Sequence, residues 1–438
     1  MSKLENNPDG LNQALFDFKG KLSLGAAAPM GMQHLAAAVV GVVTPALIIS
    51  SVCGLNSLDT TILVQVSLII SALATLLQIC GIGPIGARLP VIAAVSFAYV
   101  PTMQSIGSQF GLSAILGTQL IGGIVAILVG IYIKRIRFLF PPVVIGTVIF
   151  TIGLSLYPTA IKYMAGGVGS PEFGSMKNWG VALLTFAIVI FFNNFTEGIW
   201  KLSSILIGMC VGYVVALAIG MVSFEAVGQA GWFQVIIPLH FGLSFPPAAV
   251  VTMIIMFIVN AVQAIGDFTS TTVGGMDRQP TDEEISSGII GNGLVSMISA
   301  IFGGMPVATF SQNVGIVTVN KVVNRMVFIF TAVVFLVAGF VPKFSSILTT
   351  IPQSVIGGAT ISVFAMITMT GIRIIASAQL TSRNVSIVGL AAALGVGVSS
   401  VPNVLAGFPD WVSTIFASSS IVLATLVAII LNLILPKD

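Results

Sequence analysis

One short phrase occurs twice in this chain, half its length apart. Phe140-Pro141-Pro142-Val143-Val144-Ile145-Gly146 opens one long apolar segment, and Ile351-Pro352-Gln353-Ser354-Val355-Ile356-Gly357 opens another. Pro141 and Pro352 stand 211 residues apart. Leu89-Pro90-Val91-Ile92-Ala93 and Met305-Pro306-Val307-Ala308-Thr309 form a second pair, each opening an unusually short apolar stretch, with prolines 216 apart. Around these points the chain is close to continuously apolar. Hydrophobic residues make up 56% of 438 and charged residues 7%, against roughly 25% charged in soluble domains. A water-facing surface cannot be built from that composition, so the chain belongs in a lipid bilayer.

Bilayer crossings need about 20 apolar residues each, and fourteen candidate segments are read, all-α in class. The third (90–106) and tenth (306–319) are short for crossings; the eleventh and twelfth are placed at 326–342 and 346–371. Residues 1–20 are polar, without the short apolar core of a secretory leader, so insertion is expected to rely on the spans. With the N-terminus inside, fourteen of the 17 basic residues fall on the cytosolic side, Lys134, Arg135 and Arg137 among them. Only Lys162, Lys177 and Lys343 fall opposite. The positive-inside rule supports this orientation, with both termini cytoplasmic and the chain in the plasma (inner) membrane. Pro141 then follows a cytosolic loop and Pro352 an outer one. Seven spans separate them, and an odd number inverts the second copy. The expected architecture is a 7 + 7 inverted repeat of fourteen segments.

Paired, proline-interrupted short segments in matching places of two halves point to the substrate site of a secondary transporter. Pro90 to Phe97 and Pro306 to Gln312 are each expected to hold a short extended strand, reaching Ser96 and Ser311 where helix resumes. The half-helix ends would present free backbone N–H groups and a positive dipole end to a planar polar ligand. A continuous helix kinked at proline is the plainer alternative. Within the spans the ionisable residues are essentially His34 and Asp267, and intramembrane ionisable groups are functional candidates. Asp267 lies toward the cytosolic end of its span, so snorkelling to the interface also fits, and His34 could serve helix packing. Gln312 and Gln263 each offer a donor and an acceptor side by side, matching adjacent C=O and N–H edges of a nucleobase. Asn313 is better suited to capping the half-helix. Phe97 could supply a stacking face, or simply pack. Cys53, Cys80 and Cys210 lack metal-ligand spacing and read as small core residues.

Gln312-Asn313-Val314-Gly315-Ile316-Val317-Thr318-Val319-Asn320-Lys321 resembles the signature of the nucleobase–ascorbate transporter family, nucleobase:cation symporter-2. That signature runs Gln-Asn-x-Gly, four free positions, then Thr and Arg; here Asn320 and Lys321 take the last two places. Gln33-His34, Ile265-Gly266-Asp267 and Gly371-Ile372-Arg373-Ile374 match the same family, nearest its xanthine and uric acid branch. The resemblance implies a core of spans 1–4 and 8–11 and a gate of spans 5–7 and 12–14, with substrate between them. Along the chain this gives a cytosolic segment 1–26, core parts 27–132 and 223–342, and gate parts 133–222 and 343–438. It also implies a homodimer. Two positions depart from the pattern. Gln263 stands where the family usually has Glu, and Asn292 where it often has Asp, so Asp267 is the carboxylate left in the eighth span to sense a proton.

The expected activity is import of a purine such as xanthine or uric acid by proton symport, with Gln263, Gln312, Phe97, Ser96 and Ser311 on the substrate. Asp267, His34, Asn313 and Asn292 would serve coupling or support. The alternatives are a uracil or broad nucleobase permease, or an anion or ascorbate carrier of the same fold coupled to Na+. No enzyme activity, organic cofactor, metal or nucleic-acid partner is expected. An intramembrane enzyme would need convergent acid–base groups, and a channel a continuous polar lining.

Overall fold

The computed structural model describes residues 14–401, 403–409, 412–417 and 419–436. In lipid, backbone N–H and C=O groups must find partners inside the protein, so apolar segments wind into helices. In chain order these are α1 (Leu24–Val52), α2 (Ser57–Cys80), α3 (Val100–Phe110), α4 (Leu112–Ile136), α5 (Pro142–Met164), α6 (Met176–Phe195) and α7 (Ser204–Ala218). There follow α8 (Pro247–Met276), α9 (Asp282–Ile301), α10 (Ser311–Asn320), α11 (Arg325–Phe340), α12 (Gln353–Ser377), α13 (Ser382–Ser400) and α14 (Ser420–Ile434). Polar side chains start several of them. Ser23 caps α1, Asn56 caps α2, and Thr281 with Glu284 forms a capping box at α9, filling N–H groups that a helix leaves unpaired. Pro141 and Pro352 both sit at the cap positions of their helices, α5 and α12.

Among the described residues nine helices are long and apolar enough to cross a bilayer: α1, α2, α4, α5, α6, α8, α9, α12 and α13. The passage between the eleventh and twelfth segments differs from expectation. Rather than a loop between segments ending at 342 and beginning at 346, α11 bends by 87° into a short helix, Pro342–Thr349. Pro342 is suited to open a new helix at its first turn, and α12 begins only at Gln353. The cysteines also differ. Cys80 and Cys210 are exposed and Cys53 is half-buried, so none of the three is the fully buried core residue expected.

The two short proline-led stretches are extended and paired. β1 (Ala93–Val95) runs antiparallel to β2 (Val307–Thr309) in the register Ala93 to Thr309, Ala94 to Ala308 and Val95 to Val307. All six residues are buried. Three rungs leave much of this backbone unpaired, and hydroxyls of two helices take up the rest. From α2, Ser71 Oγ accepts from Val95 N–H (3.2 Å), while Thr75 Oγ1 donates to Ala93 C=O (2.9 Å). From α9, Ser296 Oγ accepts from Val307 N–H (3.1 Å) and Ser299 Oγ donates to Met305 C=O (2.7 Å). A continuous kinked helix is therefore not what these segments form.

Helices α1–α4 and α8–α11 pack chiefly on one another, with α4 against α9 and α8, and α11 against α2 and α1. Helices α5–α7 and α12–α14 do likewise, with α5 against α12 and α6 against α7 and α12. Buried amides clamp the first set: Gln65 donates to Gly339 C=O (3.0 Å), Gln119 to Ser296 C=O (2.8 Å), and Gln78 to Gly288 C=O (2.7 Å). In the second set α5 and α12 touch backbone to backbone. A Cβ at Gly371 would fall 2.3 Å from Phe150 N, and one at Gly357 2.3 Å from Met164 N.

Removing a hydroxyl beneath either strand strands a buried N–H group, at a cost of about 1–3 kcal/mol. Ser71→Ala and Ser296→Ala should each lower the thermal midpoint of the purified protein in detergent, with insertion retained. An unchanged midpoint for both would show that the hydroxyls do not support the strands.

Candidate functional site

At the ends of the paired strands the chain re-enters helix. Ser96 Oγ accepts from Ala98 N–H (3.2 Å), starting a 3-10 turn over Phe97–Tyr99 that continues into α3. On the other strand, Phe310 C=O takes the N–H groups of Asn313 (3.0 Å) and Val314 (3.2 Å). The first helical N–H groups of α10, at Ser311 and Gln312, are left at the helix end, where the dipole is positive.

A cavity of about 650 Å³ opens in front of these two ends, within the roughly 300–1,000 Å³ range of small-molecule sites. Ser96, Phe97, Thr309, Ser311, Gln312 and, from α8, Gln263 form one wall. Opposite lie Ile149 and Ile152 of α5, Phe186 of α6, Ile205 of α7, and Ile361 and Met366 of α12. Asn193, Lys201 and Arg373 also line it, and among the described residues none that lines it is acidic. Phe97 is buried and meets Phe364 of α12 edge to face, with ring centres 5.2 Å apart. The wall is thus polar on the strand side, apolar on the helix side and cationic near Lys201 and Arg373.

Behind the wall sits Asp267, buried rather than snorkelled to the interface. Thr309 Oγ1 donates to one of its carboxylate oxygens (2.5 Å) and Ser311 Oγ to the other (2.8 Å). Ser311 Oγ in turn accepts from Gln263 Nε2 (3.4 Å). A relay thus runs from the cavity through Gln263 and Ser311 to Asp267, and on to the strand residue Thr309. Protonating Asp267 would turn one acceptor into a donor, so at least one of its two hydroxyl bonds must reorganise.

The remaining candidates lie outside the cavity wall. Asn313 does not cap α10: Phe310 holds that position without a side-chain bond. Instead Asn313 Nδ2 reaches His34 Nδ1 (2.9 Å) and His34 C=O (3.0 Å) on α1, because this position of α10 faces α1 rather than its own first turn. His34 is buried against Phe328, which makes it a tie between α1, α10 and α11. Asn292 Oδ1 accepts from Gln78 Nε2 (2.8 Å) in the α2–α9 contact. Asn320 Nδ2 donates to Gln33 Oε1 (3.3 Å), so Asn313 and Asn320, both within the Gln312–Lys321 signature, hold the Gln33-His34 pair.

Thr309 and the α2 and α9 hydroxyls were not singled out in the sequence. Thr309 is the one hydroxyl of its strand, opposite Ala93, and that asymmetry between the repeats was the available signal. Ser71 and Thr75, four residues apart on α2, gave a weaker one.

A second cavity, of about 640 Å³, lies beside the C-terminal end of α1 and the N-terminal ends of α2 and α12, lined by Ser51, Thr60, Tyr163, Glu225 and Gln353 among others. Gln353 Nε2 donates to Ser51 Oγ there (3.1 Å). None of the strand-end residues lines it.

The fold has solved counterparts. The transmembrane domain of a cyanobacterium bicarbonate transporter, BicA, superposes with a TM-score of 0.60 at 16% identity, covering 95% of this chain and 100% of that one. Murine Solute Carrier 26 family member A9, an anion transporter in the inward-facing state, gives 0.60 at 11%, covering 93% and 68%. Sequence relatives are closer. Xanthine permease of Bacillus subtilis is 34% identical over 94% of this chain and 94% of its own. Uric acid permease PucK of the same organism is 35% identical over 92% and 94%, and xanthine permease XanQ of Escherichia coli 32% identical over 96% and 94%. The Xan_ur_permease model, described as a permease family, matches residues 25–404. With that span matched and relatives of this identity along nearly its whole length, the chain belongs to the nucleobase:cation symporter-2 family of permeases.

Proposed function

We propose that this protein is a secondary active permease that brings a purine, of the xanthine or uric acid type, into the cell by proton symport. The observation that carries the reading is the strand-side wall. Two amide side chains, Gln263 and Gln312, and the N–H ends of two half-helices converge on one cavity with an apolar face opposite. Oxygen-rich purines present alternating C=O and N–H edges for carboxamides and backbone N–H groups, and a flat ring that fits against Phe97, Ile149 and Ile152. The absence of acidic lining, with Lys201 and Arg373 nearby, suits a ligand rich in carbonyls or carrying negative charge. Relatives named for xanthine and for uric acid support the same substrate class.

The reading extends to architecture. The nine long helices, with α7, α14, α11 and the two strand-plus-helix segments, make fourteen crossings arranged as seven and seven inverted. Its support is a symmetry of contacts. Gly146 meets Gly371 and Ile375, while Gly357, its counterpart 211 residues on, meets Ala160 and Met164, which are the counterparts of those two. Ala93 pairs with Thr309, its own counterpart at an interval of 216. The two packing sets then act as a core, 27–132 with 223–342, and a gate, 133–222 with 343–438. Rocking of one against the other exposes the cavity to alternate sides. Both termini then lie in the cytoplasm of a plasma (inner) membrane protein, a reading that the distribution of basic residues supports. The cavity that Lys201 and Arg373 line then opens inward, and the gate faces offer a surface for a homodimer. The coupling proton resides on Asp267, joined to the substrate wall through Ser311.

Uptake of radiolabelled xanthine and urate by cells, with and without a protonophore, tests the function. Gln312→Ala should lower xanthine uptake at least tenfold, a loss of about 1.4 kcal/mol or more of interaction, with the protein still in the membrane. Unchanged uptake would remove Gln312 from the site. Asp267→Asn should abolish protonophore-sensitive accumulation while allowing exchange of labelled for unlabelled xanthine; full accumulation in that variant would put coupling elsewhere.

A further inference from the structure

Between the short helix Glu225–Gln229 and α8 the chain reads Trp232-Phe233-Gln234-Val235-Ile236-Ile237-Pro238-Leu239, an apolar run in neither helix nor strand. The transport site uses none of it. Trp232 is 74% exposed, Val235 69% and Ile237 65%, and Phe233 and Leu239 are exposed as well. Continuous apolar exposure on this scale marks a surface that something covers.

The level of the run on the molecule is fixed at three points. Leu239 N–H donates to the C=O of Ile301, the last residue of α9 (2.7 Å). Ile236 packs with Ile62, Ile298 and Phe302 against the α2–α9 cluster. His240 Nε2 lies 2.9 Å from Asp59 Oδ1 in the first turn of α2. The run therefore crosses the ends of two bilayer-crossing helices, where hydrocarbon gives way to headgroups. Lys343 Nζ stands 4.6 Å from the centre of the Trp232 ring, which brings the helix Pro342–Thr349 to the same level. That helix exposes Phe344 and Ile347 and buries Ser345 and Ser346, the reverse of what a water-facing surface helix would do.

We propose that residues 232–239 and the helix Pro342–Thr349 form one interfacial anchor, seated among the lipid headgroups with its aromatic and aliphatic side chains turned to the upper acyl chains. Lipid is the occupant because the run lies across the ends of α2 and α9, two helices apolar enough to cross the bilayer, and Leu58 in the first turn of α2 is exposed as well. An indole beside a cationic side chain is also the combination that the membrane–water interface favours. Both segments are links by which the chain passes between its two packing sets, so the anchor holds both links at one depth.

The test uses the full chain with Trp232 as its sole tryptophan, the other three of four replaced by phenylalanine, in nanodiscs of phosphatidylcholine brominated either high or low on the acyl chain. Emission should fall about twofold with the high label and less with the low one, as for an interfacial indole, with little quenching by iodide in the buffer. Full iodide quenching without bromolipid quenching would overturn the proposal and leave the face open to water or a protein partner. Stronger quenching by the low label would overturn its interfacial depth. Should the triple substitution fail to insert, a Val235→Cys variant with Cys53, Cys80 and Cys210 replaced by alanine, carrying an environment-sensitive fluorophore at position 235, gives the same two readings.

Discussion

A backbone that leaves the helix inside a membrane must still pair every N–H and C=O it frees, and this molecule is arranged around meeting that demand at two places at once. β1 and β2 satisfy part of it by pairing with each other. The remainder falls to hydroxyls of α2 and α9, which commits those helices to positions directly behind the strands. Gln78 and Gln119 then bind α9 to its neighbours. The strand pair in this way fixes the scaffold around it as much as the scaffold fixes the strands. What it yields is two helix ends, free of their own chain, aimed at one cavity.

The same economy shapes the chemistry. Asp267 is held by Thr309, a strand residue, and Ser311, the first residue of α10, so a change in its charge would act on the segment that forms the strand-side wall of the cavity. Gln263, which cannot titrate, reports to the same serine. In the proposed mechanism, substrate recognition and proton binding would be neighbours through one hydroxyl rather than competitors for one carboxylate. His34 and Asn313 serve a different end, bracing α10 against α1.

Much of this is legible in the sequence. Prolines 90 and 306 marked the strands because proline followed by β-branched residues in a short apolar stretch disfavours helix. Ser96, Phe97, Ser311 and Gln312 line one cavity, as their places beside those breaks suggested, and Gln263, picked out for its carboxamide, joins them from α8. Other roles depended on which way a helix is rotated, which one sequence does not disclose. Asn313 faces α1 and not its own N–H groups, and Asn292 turns to Gln78. The helix Pro342–Thr349 was missed because its composition reads as the edge of a crossing; its 87° bend is a tertiary feature. The supporting hydroxyls were missed because serine and threonine are common in apolar helices, and only the strands behind which they lie give them a purpose.

The central claim is that a purine rests against the ends of the two broken crossings. A structure determined by electron microscopy with xanthine bound tests it most directly. The account predicts ring density in the 650 Å³ cavity, with the Gln263 and Gln312 amides and the N–H groups at the start of α10 within hydrogen-bonding distance of its edges. Xanthine bound instead beside Ser51 and Gln353, or anywhere that leaves both amides without contact, would contradict it.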